Sequence, residues 1–193
     1  MKYLALDIET AGVDWTRYGI LEIAAVPGST VDLDWTGTPF HAFVRREEHE
    51  PVAHWSRENL KGVLDVCEGR KMSPPRVEWG YIYQVLSRFH DYVLRFREEH
   101  KVSSVRFAGK NIANFDLPFL KHWSEKVGVD FPKHSHILLD IGSLTMNGDD
   151  LWVPKSDVVW DRYLDGAPVE HTALGDAHAT RKIISARLAE LRR

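Results

Sequence analysis

The chain has 193 residues and one cysteine, Cys67, so no disulfide can close within it. That excludes the disulfide-stapled scaffolds of small secreted proteins and suits a reducing compartment, so a cytoplasmic location is expected. A lone cysteine is expected to be structural rather than a nucleophile. Long apolar runs are also missing. No segment approaches the roughly 20 residues of a membrane span. The first apolar run stops at Asp7, short of the roughly 7–15 residues of a signal-peptide core, so the chain is expected to open with its native first strand. Nor is there an excess of one charge: 25 basic and 28 acidic residues give a net charge of −3. Bulk charge therefore does not mark a nucleic-acid binder, and only a local basic surface could do so. Repeats and low-complexity linkers are absent as well, and a single domain over residues 1–193 is expected.

What is present is an ordered series of apolar segments. Residues 3–8, 19–26 and 40–45 read as three strands with short turn-rich links, which suggests an antiparallel meander. The period then changes. Residues 77–100 carry Ile82, Val85, Leu86, Phe89, Val93, Leu94 and Phe96 at helical spacing. Residues 104–108 read as a strand, 119–127 as a helix, 137–141 as a strand and 173–191 as a last helix. Residues 142–170 are the least legible, with a short helix expected near 158–164. The order predicts an α/β protein with a mixed central sheet flanked by helices.

The chemistry-bearing residues sit at the edges of these segments. Asp7 and Glu9 close the first strand. Residues i and i+2 of a strand share a face, so the two carboxylates stand side by side while Leu6 and Ile8 point away. Read alone, the pair is a solvated strand end. Asp116 lies in the apolar run NFDLPFL, where an unpaired charge is costly to bury. Read alone, it is a first-turn helix acid. Asp176 stands about one turn into the last helix, five residues after His171, which precedes that helix in a loop. Together the four acids carry about four negative charges, which two divalent cations would cancel. Oxygen ligands suit Mg²⁺ or Mn²⁺. Two such ions about 3.5–4 Å apart form the clamp used for phosphoryl displacement.

In order and spacing, DIETAG, ILEIAAV, NFDLPFL and HTALGDAHAT resemble the motifs of the DEDDh exonuclease family, which includes polymerase proofreading subunits and oligoribonuclease. The resemblance runs from residue 4 to residue 180. It implies a ribonuclease H-like fold, with the first three strands antiparallel and the later ones parallel. It implies Asp7, Glu9, Asp116 and Asp176 as ligands of two Mg²⁺ or Mn²⁺ ions and His171 as general base. The implied activity is 3′–5′ hydrolysis of single-stranded DNA or RNA ends to 5′-mononucleotides. Thr10 and Ala11 would lie along the terminal nucleotide, and Asn111 opens the second motif near the substrate. Lys110 departs from the family pattern, which often has His there. Beyond the nucleic acid, the resemblance leaves a homodimer or a polymerase partner open. The alternative reading is a nucleic-acid-binding module that kept the fold without catalysis.

Other residues carry weaker signals. Trp15, Trp55 and Phe115 are candidate base-stacking platforms. Lys110, Lys121, Lys126, Arg181 and Lys182 could form a basic rim near the second and third motifs, and Arg45–Arg46 and Arg70–Lys71 share that ambiguity. His134 and His136 lack a Cys or acid at metal-site spacing and read as structural. The sequence leaves Glu22 and Asp140 unassigned.

Overall fold

The computed structural model describes residues 1–75, 77–164 and 171–193. Arg76 and residues 165–170, which hold Gly166 and the end of the poorly legible stretch, lie outside the described residues. Six strands form one sheet: β1 (Lys2–Thr10), β2 (Ile20–Ser29), β3 (Phe40–Val44), β4 (Glu78–Gly80), β5 (Phe107–Gly109) and β6 (Leu139–Asp140). Their order across the sheet is β4-β3-β2-β1-β5-β6. β1 and β2 pair antiparallel, as do β2 and β3, whereas β4, β5 and β6 each join a neighbour in parallel. The expected mixed sheet, antiparallel first and parallel later, is the observed one.

Seven helices accompany the strands among the described residues: α1 (His54–Asn59), α2 (Lys61–Cys67), α3 (Ile82–Glu99), α4 (Asp116–Val127), α5 (Ile141–Leu144), α6 (Ser156–Tyr163) and α7 (Ala173–Glu190). β1 is apolar on both faces because helices cover both. Leu4, Leu6 and Ile8 pack with Val85, Phe89 and Val93 of α3 and Phe119 and Leu120 of α4. Tyr3 and Ala5, of opposite parity, pack with Ala177, Ile183 and Ile184 of α7 and Trp160 of α6. A third cluster joins Leu21 and Phe43 to Leu60, Val63 and Cys67 beside α2. This layered burial is what a β-α-β order with two-sided apolar strands demands.

Some expected elements change their bounds. The stripe assigned to one helix over 77–100 begins with β4, and α3 starts only at Ile82. β4 is a three-residue edge strand, too short to break a 3.6-residue period visibly. α1 and α2 carried no periodic signal long enough to be read. The strand expected over 137–141 is only two residues long, because Asp140 caps α5 by accepting a hydrogen bond from the Ser143 N–H. The helix expected near 158–164 is α6.

Candidate active site

β1 delivers its two acids to the face that α7 covers. Asp7 and Glu9 share parity with Tyr3 and Ala5, which contact α7, so the face expected for the pair is the one found. α7 starts at Thr172, whose side chain accepts a hydrogen bond from the Gly175 N–H and so satisfies one of the helix's unpaired donors. Asp176 falls in the first turn, where the helix dipole favours an anion. Carboxylate oxygens of Asp7, Glu9 and Asp176 all lie within 4.8 Å of one another.

Asp116 reaches the same place from the other face. β5 ends at Gly109 and leaves the edge of β1 unpaired beyond it. The Leu4 N–H donates to the Arg106 carbonyl, and the Ile8 N–H, four residues on, points to the same edge. Asp116 Oδ1 takes that donor at 3.2 Å. A side chain on Gly109 would press on the Leu6 carbonyl at 3.0 Å, so glycine lets the two strands close here without displacing backbone. Asp116 itself is buried in the first turn of α4.

The four acids repel one another, and among the described residues no Lys or Arg forms an ion pair with Asp7, Glu9 or Asp116. Burial, then the charges of Asp116, Asp176, Glu9 and Glu22, holds the Asp7 carboxyl well above the ordinary range. Burial, with Asp176, Glu22 and Asp116, pushes Glu9 up to about 8. Asp116 is raised to about 7, chiefly by burial, against the pull of its backbone hydrogen bonds. An ion is the simplest means of keeping such groups ionised at neutral pH. The donors are all carboxylate oxygens, a set that fits a hard divalent cation.

His171 is exposed at the loop end before α7, with φ of +47°, a conformation uncommon for a non-glycine residue. Its ring meets Trp55 edge-on at 5.8 Å. Trp55, on α1, is 55% exposed beside it. Of the residues expected to line the substrate, Thr10 and Ala11 are buried and their backbone is engaged within the fold. The Thr10 carbonyl accepts from Ser56 Oγ, the Ala11 N–H donates to Gly19, and the Ala11 carbonyl accepts from the Ala53 N–H. Asn111 is exposed at a positive φ of 54°, held where its N–H donates to Asp140 Oδ2 at 2.8 Å. Phe115 is half-buried against Phe119, and Trp15 meets the other edge of Phe119.

The basic candidates divide. Lys110 is half-buried and donates to Ser156 Oγ at 3.0 Å, tying the second motif to α6. Arg46 is buried and bound to Glu68, and Arg70 binds Asp65 and Glu68. Arg181 reaches the Leu33 carbonyl, and Lys126 lies over the Trp123 ring at 4.1 Å. Lys121 and Lys182 are exposed. Cys67 is buried, its Sγ–H donates to the Leu21 carbonyl, and burial pushes its thiol up to about 12, so it is no nucleophile. His134 bridges to Val105 in a backbone pairing beside Phe107 and Phe131.

The two acids left unassigned by sequence acquire positions. Asp140 caps α5 with Oδ1 and braces Asn111 with Oδ2. The pattern Asp-Ile-Gly-Ser was a readable cap signal. Glu22 is fully buried and lies directly opposite Glu9 on β2. No one-dimensional pattern marked it, because its neighbour is set by strand register.

The six-stranded sheet, antiparallel in its first three strands and parallel in the later ones, with helices on its faces, has the ribonuclease H-like fold. Neither a family model nor a curated protein matches the sequence. Among solved structures, the chain is similar to the nuclease domain of 3′hExo, described as a DEDDh family member bound to rAMP, with 16% identity, a TM-score of 0.65, and coverage of 98% of this chain and 92% of that one. The resemblance read from the motifs thus holds at the level of the fold. No helix among the described residues is long and apolar enough to cross a membrane.

Proposed function

We propose that the protein is a divalent-metal-dependent 3′–5′ exonuclease that releases 5′-mononucleotides from single-stranded DNA or RNA ends. The observation that carries this reading is the convergence of Asp7, Glu9 and Asp176 within 4.8 Å, with Asp116 hydrogen-bonded to the strand that bears the first two. Nucleotide binding by the similar nuclease domain, whose structure holds rAMP, supports a substrate of that class.

Asp7, Glu9, Asp116 and Asp176 would hold two Mg²⁺ or Mn²⁺ ions. When bound, such ions lower the pKa of water and offset charge on a phosphate. The side chains of this protein supply the rest. His171 accepts the proton of the attacking water as its oxygen bonds to phosphorus, and the bond from phosphorus to the 3′ oxygen breaks. The exposed loop position of His171 lets its imidazole reach an incoming strand. Trp55, exposed beside it, offers a face on which the terminal base can stack. Asn111, presented by Asp140, lines a cleft of about 470 Å³ with Asn114, Ser143 and Val153. That cleft has room for the adjoining nucleotide.

The test is direct. A 5′-labelled single strand incubated with Mg²⁺ or Mn²⁺ should shorten one nucleotide at a time, with 5′-mononucleotides as product, and EDTA should stop it. Binding without any shortening, in either metal and on both DNA and RNA, would establish the binding-module alternative instead. A free-standing enzyme needs no further subunit for this reaction. Sedimentation of the pure chain would show whether it self-associates, and assays with an added polymerase would show whether activity depends on one.

A further inference from the structure

We propose that Glu22 is a positioning residue that anchors the start of α7, and through it Asp176 and His171, against the strand that carries Glu9. The proposal rests on the exonuclease reading for its effect on turnover, and on geometry for the anchoring itself.

Both oxygens of the Glu22 carboxylate are engaged. Oε2 accepts the Ala173 N–H at 3.1 Å, across 151 residues of sequence. Oε1 meets His41 Nε2 at 2.6 Å. Ala173 is the first residue of α7, so its N–H is one of the donors that a helix cannot satisfy internally. Thr172 serves the Gly175 donor, and Glu22 serves the Ala173 donor. The two together fix the first turn, in which Asp176 lies, and the backbone immediately after His171.

A carboxylate here is costly. Glu22 is fully buried, faces Glu9 across the β1–β2 pair, and its charge adds to the repulsion on Asp7 and Glu9. A residue needed only to fill space would be apolar, as Ile20, Ile23 and Ala24 are on the same strand. His41, on β3, accounts for the other oxygen. With Nε2 donating to Glu22, its Nδ1 is buried without a partner among the described residues. Among those residues the His41 ring has one hydrogen bond, and that contact orients Glu22. Glu22 lies outside the group of Asp7, Glu9 and Asp176 whose oxygens converge, and each of its own oxygens already accepts a hydrogen bond.

Three variants separate reach from charge. Glu22→Gln keeps an acceptor at the same distance and loses the charge. Glu22→Asp keeps the charge and withdraws it by one methylene. Glu22→Ala removes both. Positioning requires the Gln variant to stay within about 3-fold of wild type in kcat, while Asp and Ala fall about 10–100-fold with KM little changed, the range seen when an outer hydrogen-bond partner of a metal site is lost. Hydrogen exchange of residues 171–177 should quicken in the Asp and Ala variants and not in Gln. Mn²⁺ affinity, read by calorimetry, should fall in the same order.

The opposite ranking, with Asp intact and Gln impaired, would overturn the proposal, as would unchanged exchange in the Asp variant. Should the Ala variant fail to fold, the Gln and Asp pair still decides. Should wild type cleave nothing in either metal, the exonuclease reading falls, while hydrogen exchange still tests the anchor.

Discussion

Two clusters of carboxylates, one beside α2 and one at the end of β1, are built on contrary plans. In one, Glu48, Glu50, Asp65 and Glu68 surround Arg46 and Arg70, with Arg46 bound to Glu68 and Glu50, and Arg70 bound to Glu68, Asp65 and Glu48. Every acid there has a guanidinium. In the other, Asp7, Glu9, Asp116 and Asp176 crowd together, and among the described residues the first three have no cationic side chain. The first cluster is complete as a structural device, joining α2 to the loop after β3. The second is incomplete as protein alone, and divalent ions would supply its missing charge. The chain carries 25 Lys and Arg, so the lack of one beside Asp7, Glu9 and Asp116 among the described residues is a property of the site.

Substitution within the uncompensated cluster should have the largest effect on activity. Asp7→Asn removes a proposed ligand without changing its shape. Turnover should fall by more than about 1,000-fold, a loss of roughly 4 kcal/mol of transition-state stabilisation. The same variant should melt higher than wild type in EDTA, because one repelling charge has gone. An Asp7→Asn protein that kept a tenth of wild-type turnover would break the contrast between the clusters. His171→Ala comes next, with a loss of about 100–1,000-fold in kcat and no more than a 2-fold change in Mn²⁺ affinity, since the imidazole is proposed to move a proton and not to bind metal. Weakened Mn²⁺ binding would reassign His171 as a ligand.

The compensated cluster should respond in stability alone. Arg46→Ala leaves Glu68, almost fully buried, with Arg70 only. A loss of about 2 kcal/mol in unfolding free energy is expected, at the lower end for a broken buried pair because one partner remains. Turnover per folded molecule should be unchanged. A drop in kcat would show that the two clusters communicate through β2 and β3.

How far the sequence revealed these clusters depends on the distance over which each pattern acts. Asp7 and Glu9 were legible because strand parity is local, and Asp176 because a helix start has its own signals. Asp116 was legible as an acid in an apolar run, but its bond to the Ile8 N–H follows from β5 stopping at Gly109, which only the folded sheet shows. Glu22 faces Glu9 through the register that runs unbroken from the pairing of Lys2 with Ser29 and shifts only beyond Glu9. Of the basic candidates, Arg46 and Arg181 bind partners far away in sequence and Arg70 binds Asp65 and Glu68 nearby, while Lys121 and Lys182 stay exposed. α1 and α2 went unread because six or seven residues hold under two turns of helical period. The three-residue β4 was absorbed into the stripe of α3.

The smallest effect expected is also the sharpest test of the contrast, because it needs no mutation. Glu9 is raised from 4.5 to about 8 and Asp116 from 3.8 to about 7, with Asp7 raised as well. A carboxyl whose pKa is raised by folding binds its proton more tightly in the folded state. The stability it contributes is fully present below about pH 4 and is lost as pH climbs through 7 to 8. Metal-free protein should therefore lose a few degrees in Tm between pH 5 and pH 8. His178 acts in the opposite sense in this window, since burial lowers its pKa and the folded state sheds its proton first. Asp150, held by Arg162 at about 2, acts only at lower pH. The cluster is isolated by subtracting the EDTA curve from one taken with saturating Mn²⁺, since only the acids exchange protons for the ion. That difference should widen steadily from pH 5 to pH 8 in wild type and shrink in Asp7→Asn, while Arg46→Ala should displace both curves together. A metal-induced difference that stayed flat with pH would mean that the acids are not held protonated by one another, and the two clusters would then differ in composition but not in their need for a cation.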